Sequence, residues 1–327
     1  MDFGFTDDQR AFRDAVRDLL RDVCPPAAVR QAWAGGPGYD PKLWSQLGDM
    51  GVLGILAPAA AGGLGLTEVD LVLLLEEAGR AALPGPLVEH VAVAVPALAA
   101  AGHPLLERAI SGDAVLTFAD RASRVGWARE ADAVLLALPA GIELVTGGHA
   151  DPLDCVDRSR RDAALDSGFH GEMLGGDGAR AGDRAAWGAA AQLCGLAAQL
   201  IDSTVEYAKA RHQFGVPIGS YQAIKHHLAG ALLKLEHARP AVYRAADTLA
   251  RDLPTRARDV SMAKVMAGDA ASLAGRVALQ CHGAIGYTWE HDLHLWLKRV
   301  WVLERAWGTT REHRRRVGIA VIDGRQS

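Results

Sequence analysis

Hydrophobic positions recur with a helical period at both ends of this chain and break into short strand-like runs in its middle. Thr6 followed by Gln9 has the form of a capping box, and Phe12, Val16, Leu19 and Leu20 continue it at spacings of three and four. Pro25-Pro26 stops that helix. A second is predicted from Pro41 to Met50, with Leu43, Trp44 and Leu47 on one face. Val69 to Ala82 forms a strongly apolar helix carrying Glu76-Glu77, broken by Pro84-Gly85-Pro86, and Leu87 to Ala101 continues helical. Residues 1–110 therefore read as an N-terminal helical domain.

From Ser111 the texture changes. Ala114 to Ala119, Ala133 to Leu138 and Ile142 to Val145 are short apolar runs divided by Gly, Pro and charges, the pattern of strands. Asp151 to Arg184 is polar and glycine-rich, which predicts further strand and loop, so residues 111–184 read as a small β-domain. Residues 185–327 return to helix, beginning with Trp187 to Lys209. Ile224, Leu228, Leu232, Leu235, Ala238 and Val242 then mark one face of a long helix, which Pro240 should kink or shift. Val260 to His282 is rich in Ala and Gly, as close helix packing requires, and Leu293 to Arg305 and Thr309 to Ile322 complete a C-terminal bundle. The fold class is mainly α with a small middle β-domain.

Composition narrows the partners. Half of the 327 residues are hydrophobic, enough for a sizeable core, and the net charge of −4 gives no electrostatic case for nucleic acid. The run Arg314-Arg315-Arg316 reads as cations on the last turns of a helix. Cys24, Cys155, Cys194 and Cys281 lie far apart without a CxxC pair, the usage of reduced thiols. No apolar run has the length of a membrane span and the start lacks a secretory pattern, so the expectation is a cytoplasmic protein with no membrane partner.

Two stretches carry candidate chemistry. Arg211-His-Gln-Phe-Gly-Val-Pro-Ile-Gly-Ser-Tyr-Gln222 reads as a helix end, a turn punctuated by Gly215, Pro217 and Gly219, and a new helix. An arginine there is either a solvated helix terminus or a two-pronged grip on phosphate. Gln280 to Lys298 contains Gly283, Gly286, Tyr287 and the cluster Glu290-His291-Asp292-x-His294, whose spacing is not that of a zinc helix. The glycine-rich Pro58 to Gly65 lacks the lysine and the preceding strand of a nucleotide loop.

Together the two stretches resemble the acyl-CoA dehydrogenase family. Its pattern Arg-x-Gln-Phe-Gly-x-Pro-Ile-x-x-Phe-Gln is matched from Arg211 to Gln222 with Tyr221 for the aromatic, and Gln-x-x-Gly-Gly-x-Gly-Tyr from Gln280 to Tyr287 with Ala284 for the second Gly. The resemblance implies FAD as cofactor and α,β-dehydrogenation of an acyl-CoA thioester. A glutamate takes the α-proton, the flavin accepts the β-hydride, and an electron-transfer flavoprotein or similar acceptor reoxidises it. It implies that Arg211 meets the pyrophosphate, that Gln213, Phe214, Ile218 and Gln222 line the same arm, and that Gln280 and Gly283 touch the dinucleotide. Tyr207 and Thr309 are secondary candidates.

The family's base is missing. The two places where the family carries its glutamate align with Trp307, before Gly308-Thr309, and with Arg251. No catalytic residue is therefore assigned; Glu236, Asp247, Glu304 and Glu290 are the carboxylates nearest those positions. The flavin-covering loop and strand of the family's β-domain are also absent, Thr117 to Asp120 being the nearest remnant. This combination resembles the shortened subunit of bacterial α2β2 enzymes acting on steroid side-chain CoA thioesters, whose full-length partner carries the glutamate. The alternatives are a self-sufficient homo-oligomer using Glu290 or Glu304, and a non-catalytic scaffold subunit.

Overall fold

In a computed structural model, residues 4–322 are described, and the outermost residues of the first and last predicted segments lie outside them. The fold is mainly helical with one small sheet. Two compact units are present: Met1–Pro26, Val72–Leu83 and Ala189–Ser327 form one, Ala27–Leu71 and Pro84–Gly188 the other.

The predicted helix starts follow from their caps. α1 (Asp7–Val23) opens on a complete capping box between Thr6 and Gln9. α3 (Pro41–Asp49) is capped by Asp40, whose carboxylate accepts from the Lys42 amide, and buries Leu43, Trp44 and Leu47. Between them stands a helix the sequence reading omitted, α2 (Pro26–Ala34): Pro25-Pro26 ends one helix, but Pro26 also begins the next, as proline tolerates the first helical position. α4 (Glu68–Arg80) ends before Pro84. Residues 89–94 are π-helical, and α5 (Val95–Ala101) and α6 (Leu106–Ser111) follow.

The sheet lies wholly in the second unit. β1 (Leu116–Ala119) pairs parallel with β2 (Ala133–Leu138), which pairs antiparallel with β3 (Gly141–Pro152), and β3 with β4 (Ala163–Gly175). Val134, Val145, Ala119, Val125 and Ala163 pack into its core.

α7 (Gly178–Ala210) corrects a second expectation. It begins nine residues before Trp187, where the sequence predicted strand and loop. Asp177 accepts from the Ala179 and Arg180 amides at 2.8 and 3.1 Å, and this cap overrides the two early glycines.

In the first unit, α8 (Gln222–Ala250) runs on through Pro240 as one helix. Its predicted apolar stripe is only half inside: Leu235, Ala238 and Val242 are buried, whereas Leu232 is exposed. α9 (Arg256–His282) packs against α8 through buried alanines, and a Cβ on Gly275 would come within 2.9 Å of Leu297 in α10 (Leu293–Arg305). In α11 (Thr310–Ile322) the Arg314 to Arg316 run sits mid-helix and not on the last turns as expected, with Arg314 bonded to Asp269. All four cysteines are free thiols. No helix among the described residues is long and apolar enough to cross a membrane.

Candidate functional site

Arg211 follows directly on α7 and is exposed. Its amide donates to the Tyr207 carbonyl and its own carbonyl accepts from the Ile218 amide, both at 2.8 Å. The chain therefore leaves the helix and returns to the same residue. His212–Gln213 and Val216–Pro217 pair antiparallel, closing a hairpin whose two tip residues, Phe214 and Gly215, have φ of 52° and 84°. Two consecutive positive φ values are those of a type I′ turn, which matches strand twist. Gly215 adopts this at no steric cost; Phe214 adopts it with strain, and its ring is 94 % exposed.

The other predicted residues of the arm support or extend this hairpin. The Gln213 side chain donates to the His212 carbonyl at 2.8 Å, and the Tyr221 hydroxyl donates to the Gln213 carbonyl at 3.2 Å. Ile218 is half-buried in a short 3-10 turn, and exposed Gln222 is the first residue of α8.

Gln280 is exposed in the last turn of α9. Gly283 ends that helix at φ 62°, ψ −141°, a region essentially reserved for glycine, and nothing lies within 4 Å of the place a Cβ would take. That bare backbone is open to close approach by a ligand. Tyr207 links the two stretches: its ring stacks on His282 with centroids 4.2 Å apart, and its hydroxyl donates to the His282 carbonyl at 3.4 Å. The Arg211 hairpin and Gly283 are thus joined through one side chain.

The residues at the two positions where a base was sought are both committed elsewhere. Arg251 caps the end of α8, exposed and 3.6 Å from Asp247. Trp307 takes φ 52°, and its carbonyl oxygen lies 3.0 Å from Nε2 of buried His313. Beneath this turn Lys264, 1 % exposed, donates to the carbonyls of Glu304, Ala306 and Gly308 at 3.1, 2.9 and 3.2 Å. Burial pushes its ammonium down to about 7, against the attraction of Glu304 and Glu312. Thr309 is spent as the cap of α11, its hydroxyl and amide both donating to Glu312.

The carboxylates considered as substitutes are mostly engaged. Glu236 pairs with Arg239, Asp247 with Arg244 and Arg251, and Glu304 accepts from the Ser272 hydroxyl at 2.9 Å. Glu290 is exposed. His291 accepts from the Leu293 amide and contacts the His282 ring, while His294 packs edge-on to Trp289. In the second unit, Thr117 is fully buried and donates to the Gly126 carbonyl at 2.8 Å, and Phe118 beside it is core. The segment nearest to a flavin-covering loop is thus part of the β-domain interior.

Sequence reasoning missed Lys264 and His282. Lys264 is a single cation in the small-residue run Ser-Met-Ala-Lys-Val-Met-Ala-Gly, and that isolation was the available signal. His282 falls on an unspecified position of the Gln-x-x-Gly pattern, which assigns it no role.

Comparison with known proteins follows the same lines. Residues 6–110 match the acyl-CoA dehydrogenase N-terminal domain family and residues 182–322 the acyl-CoA dehydrogenase C-terminal domain family. The chain is 36 % identical over 298 residues to the acyl-CoA dehydrogenase IpdE2 of Mycobacterium tuberculosis, covering 90 % of this chain and 91 % of that protein. It is 33 % identical to the IpdE2 of Mycolicibacterium smegmatis, over 97 % of this chain and 100 % of that one. Among solved structures, a chain of the ChsE4–ChsE5 complex from Mycobacterium tuberculosis superposes with a TM-score of 0.90 at 25 % identity, covering 99 % of each. The chain belongs to the acyl-CoA dehydrogenase family, whose members bind FAD.

Proposed function

We propose that this member of the family is the base-lacking subunit of a heteromeric, FAD-dependent acyl-CoA dehydrogenase, supplying the dinucleotide side of a flavin site completed by a full-length partner. The observation that carries the reading is a contrast within one unit. Both base positions hold non-carboxylates fixed by other bonds, Trp307 at His313 and Arg251 at Asp247, whereas the Arg211 hairpin projects a bare guanidinium-and-phenyl arm.

The residues present fit the phosphate and adenosine end of FAD. The Arg211 guanidinium offers parallel donors to a pyrophosphate. Gly283 presents unobstructed backbone, with Gln280 one turn before it. Phe214, Ile218 and Gln222 line the arm, and the exposed Phe214 ring has area to bury only against another molecule. FAD supplies hydride acceptance when bound. In this reading the α-proton is taken by the partner's carboxylate, and this chain binds and orients.

Two features favour a mixed complex. The β-domain turns Thr117 to Ala119, the segment nearest to the family's flavin-covering loop, into its own interior. The chain also matches, end to end, a chain of a complex of two different proteins. A bulky, sterol-like acyl group rests on the resemblance of the Gly-Tyr-Thr-Trp-Glu-His-Asp-Leu-His segment alone. Cytoplasmic localisation and an electron-transfer flavoprotein as acceptor complete the proposal.

The test is to express the chain alone and together with a full-length acyl-CoA dehydrogenase-family protein of the same source, measuring flavin absorbance and mass by light scattering. A colourless lone chain and a yellow mixed complex are expected. Arg211→Ala in that complex should lower flavin affinity about 10- to 100-fold, the loss of a charge-assisted double hydrogen bond. Unchanged flavin content would remove the assigned role, and a yellow homo-oligomer would refute the need for a partner.

A further inference from the structure

Tyr207 touches both candidate dinucleotide-contacting turns at once. Its carbonyl accepts from the Arg211 amide at 2.8 Å, and its hydroxyl donates to the carbonyl of the peptide between His282 and Gly283. Its ring lies nearly parallel to the His282 ring, 21° between planes. His291 closes the third side, its ring centroid 4.7 Å from His282 and 6.2 Å from Tyr207, both edge-on.

The two imidazoles are held in opposite hydrogen-bonding roles. His282 is 4 % exposed, and its Nδ1 donates to the Ala278 carbonyl at 2.8 Å, leaving Nε2 buried with no hydrogen-bond partner. His291 uses its Nδ1 lone pair to accept the Leu293 amide at 3.1 Å, at the start of α10. A second proton on His282 would be an unpaired buried donor facing another imidazole.

We propose that Tyr207, His282 and His291 form a positioning post that locks the Arg211 hairpin to Gly283 in one fixed spacing, and that the post stands only while the His282 imidazole is neutral. The locking follows from geometry in this chain alone; its use in holding a dinucleotide rests on the function proposed above. The titratable groups facing the His282 ring are Tyr207 from α7 and His291 from the segment before α10; no carboxylate is bonded to it among the described residues. Burial, and secondarily His291, hold the His282 pKa below its ordinary 6.5. A depressed histidine contributes its stability fully above the unfolded value and loses it as pH falls through that value towards the folded one. The post therefore loosens on the acid side of 6.5.

The experiment is hydrogen exchange by mass spectrometry on the full-length chain at pH 7.5 and pH 5.5, corrected for intrinsic rates. In the wild type, segments 211–222 and 283–292 should both exchange about tenfold faster at pH 5.5, as one cooperative unit. His282→Phe keeps a stacking ring that cannot take a proton and should abolish that acid response in both segments. Tyr207→Phe, which removes only the hydroxyl, should speed both at either pH. The proposal is overturned if only the segment bearing the substitution responds, or if the acid response of His282→Phe equals that of the wild type. Flavin content of the mixed complex carrying Arg211→Ala separates the two readings. If it is unchanged, the dinucleotide role falls while the exchange data still decide the coupling; if it drops, the role stands whatever the exchange shows.

Discussion

The buried ammonium of Lys264 donates to the carbonyl oxygen of Ala306 at 2.9 Å, and with the Glu304 and Gly308 carbonyls this satisfies all three of its protons. A cation placed at the C-terminal end of α10 also meets the negative end of the helix dipole. Lys264→Met keeps much of the volume but leaves three carbonyls to find other donors. The expected cost is about 1–3 kcal/mol, because an orphaned buried acceptor loses its desolvation energy in full. Urea unfolding of the two proteins checks it; equal midpoints would mean that the turn is held by His313 and packing alone.

His90 makes the second unit sensitive to acid. It is fully buried, its Nε2 donating to the Ala109 carbonyl at 2.9 Å and its Nδ1 accepting from the Leu116 amide at 3.1 Å. Burial lowers its pKa from 6.5 to about 4. The unfolded chain therefore binds the extra proton first, and stability present at neutral pH is lost as pH falls from 6.5 towards 4. The shift amounts to about 3 kcal/mol. His90→Gln retains one donor and one acceptor without a titrating group, so its melting temperature should vary less across that window than the wild type's. A slope identical to the wild type's would assign the acid response to other groups.

Much of this was legible in the sequence because local rules and tertiary context agree there. The Thr6 capping box, Pro41 at the head of α3 and the bounds of α10 are where local chemistry places them. The turn after α7 was visible through Gly215, Pro217 and Gly219, but not its pairing into a hairpin. Elsewhere a local signal was outvoted. Gly178 and Gly182 read as breakers, yet one aspartate cap and an alanine run carry α7 through them. Leu232 fits the helical stripe but faces outward, since periodicity gives a face without saying what covers it. The Tyr207–His282 stack joins residues 75 positions apart, a distance over which no spacing rule reaches.

Trp307→Glu restores a carboxylate at one of the family's base positions and should restore no activity. Lys264 and His313 bond to backbone atoms of the turn, so the variant keeps its conformation. In the proposed reading the flavin-covering half is still the partner's, since Thr117 and Phe118, the segment nearest to that loop, are core. Dye reduction with an acyl-CoA by the isolated variant should stay at background. Turnover by the lone Trp307→Glu chain would show that it binds the flavin ring by itself.

Phe214 allows stability and function to be moved in opposite directions. Its ring is 94 % exposed, so it contributes almost no burial to the lone chain, and its φ of 52° costs a non-glycine residue about 1–2 kcal/mol. Phe214→Gly relieves that strain while adding unfolded-state entropy of about 0.5–1 kcal/mol, so the lone chain should be unchanged or slightly more stable in thermal unfolding. In the mixed complex the same substitution removes the aromatic surface of the arm. Flavin retention on gel filtration should fall with no loss of fold, as expected where strain is kept for binding. If the variant complex stays fully yellow, the exposed phenyl ring has no part in the cofactor site; if the lone chain is destabilised instead, the ring packs within its own subunit.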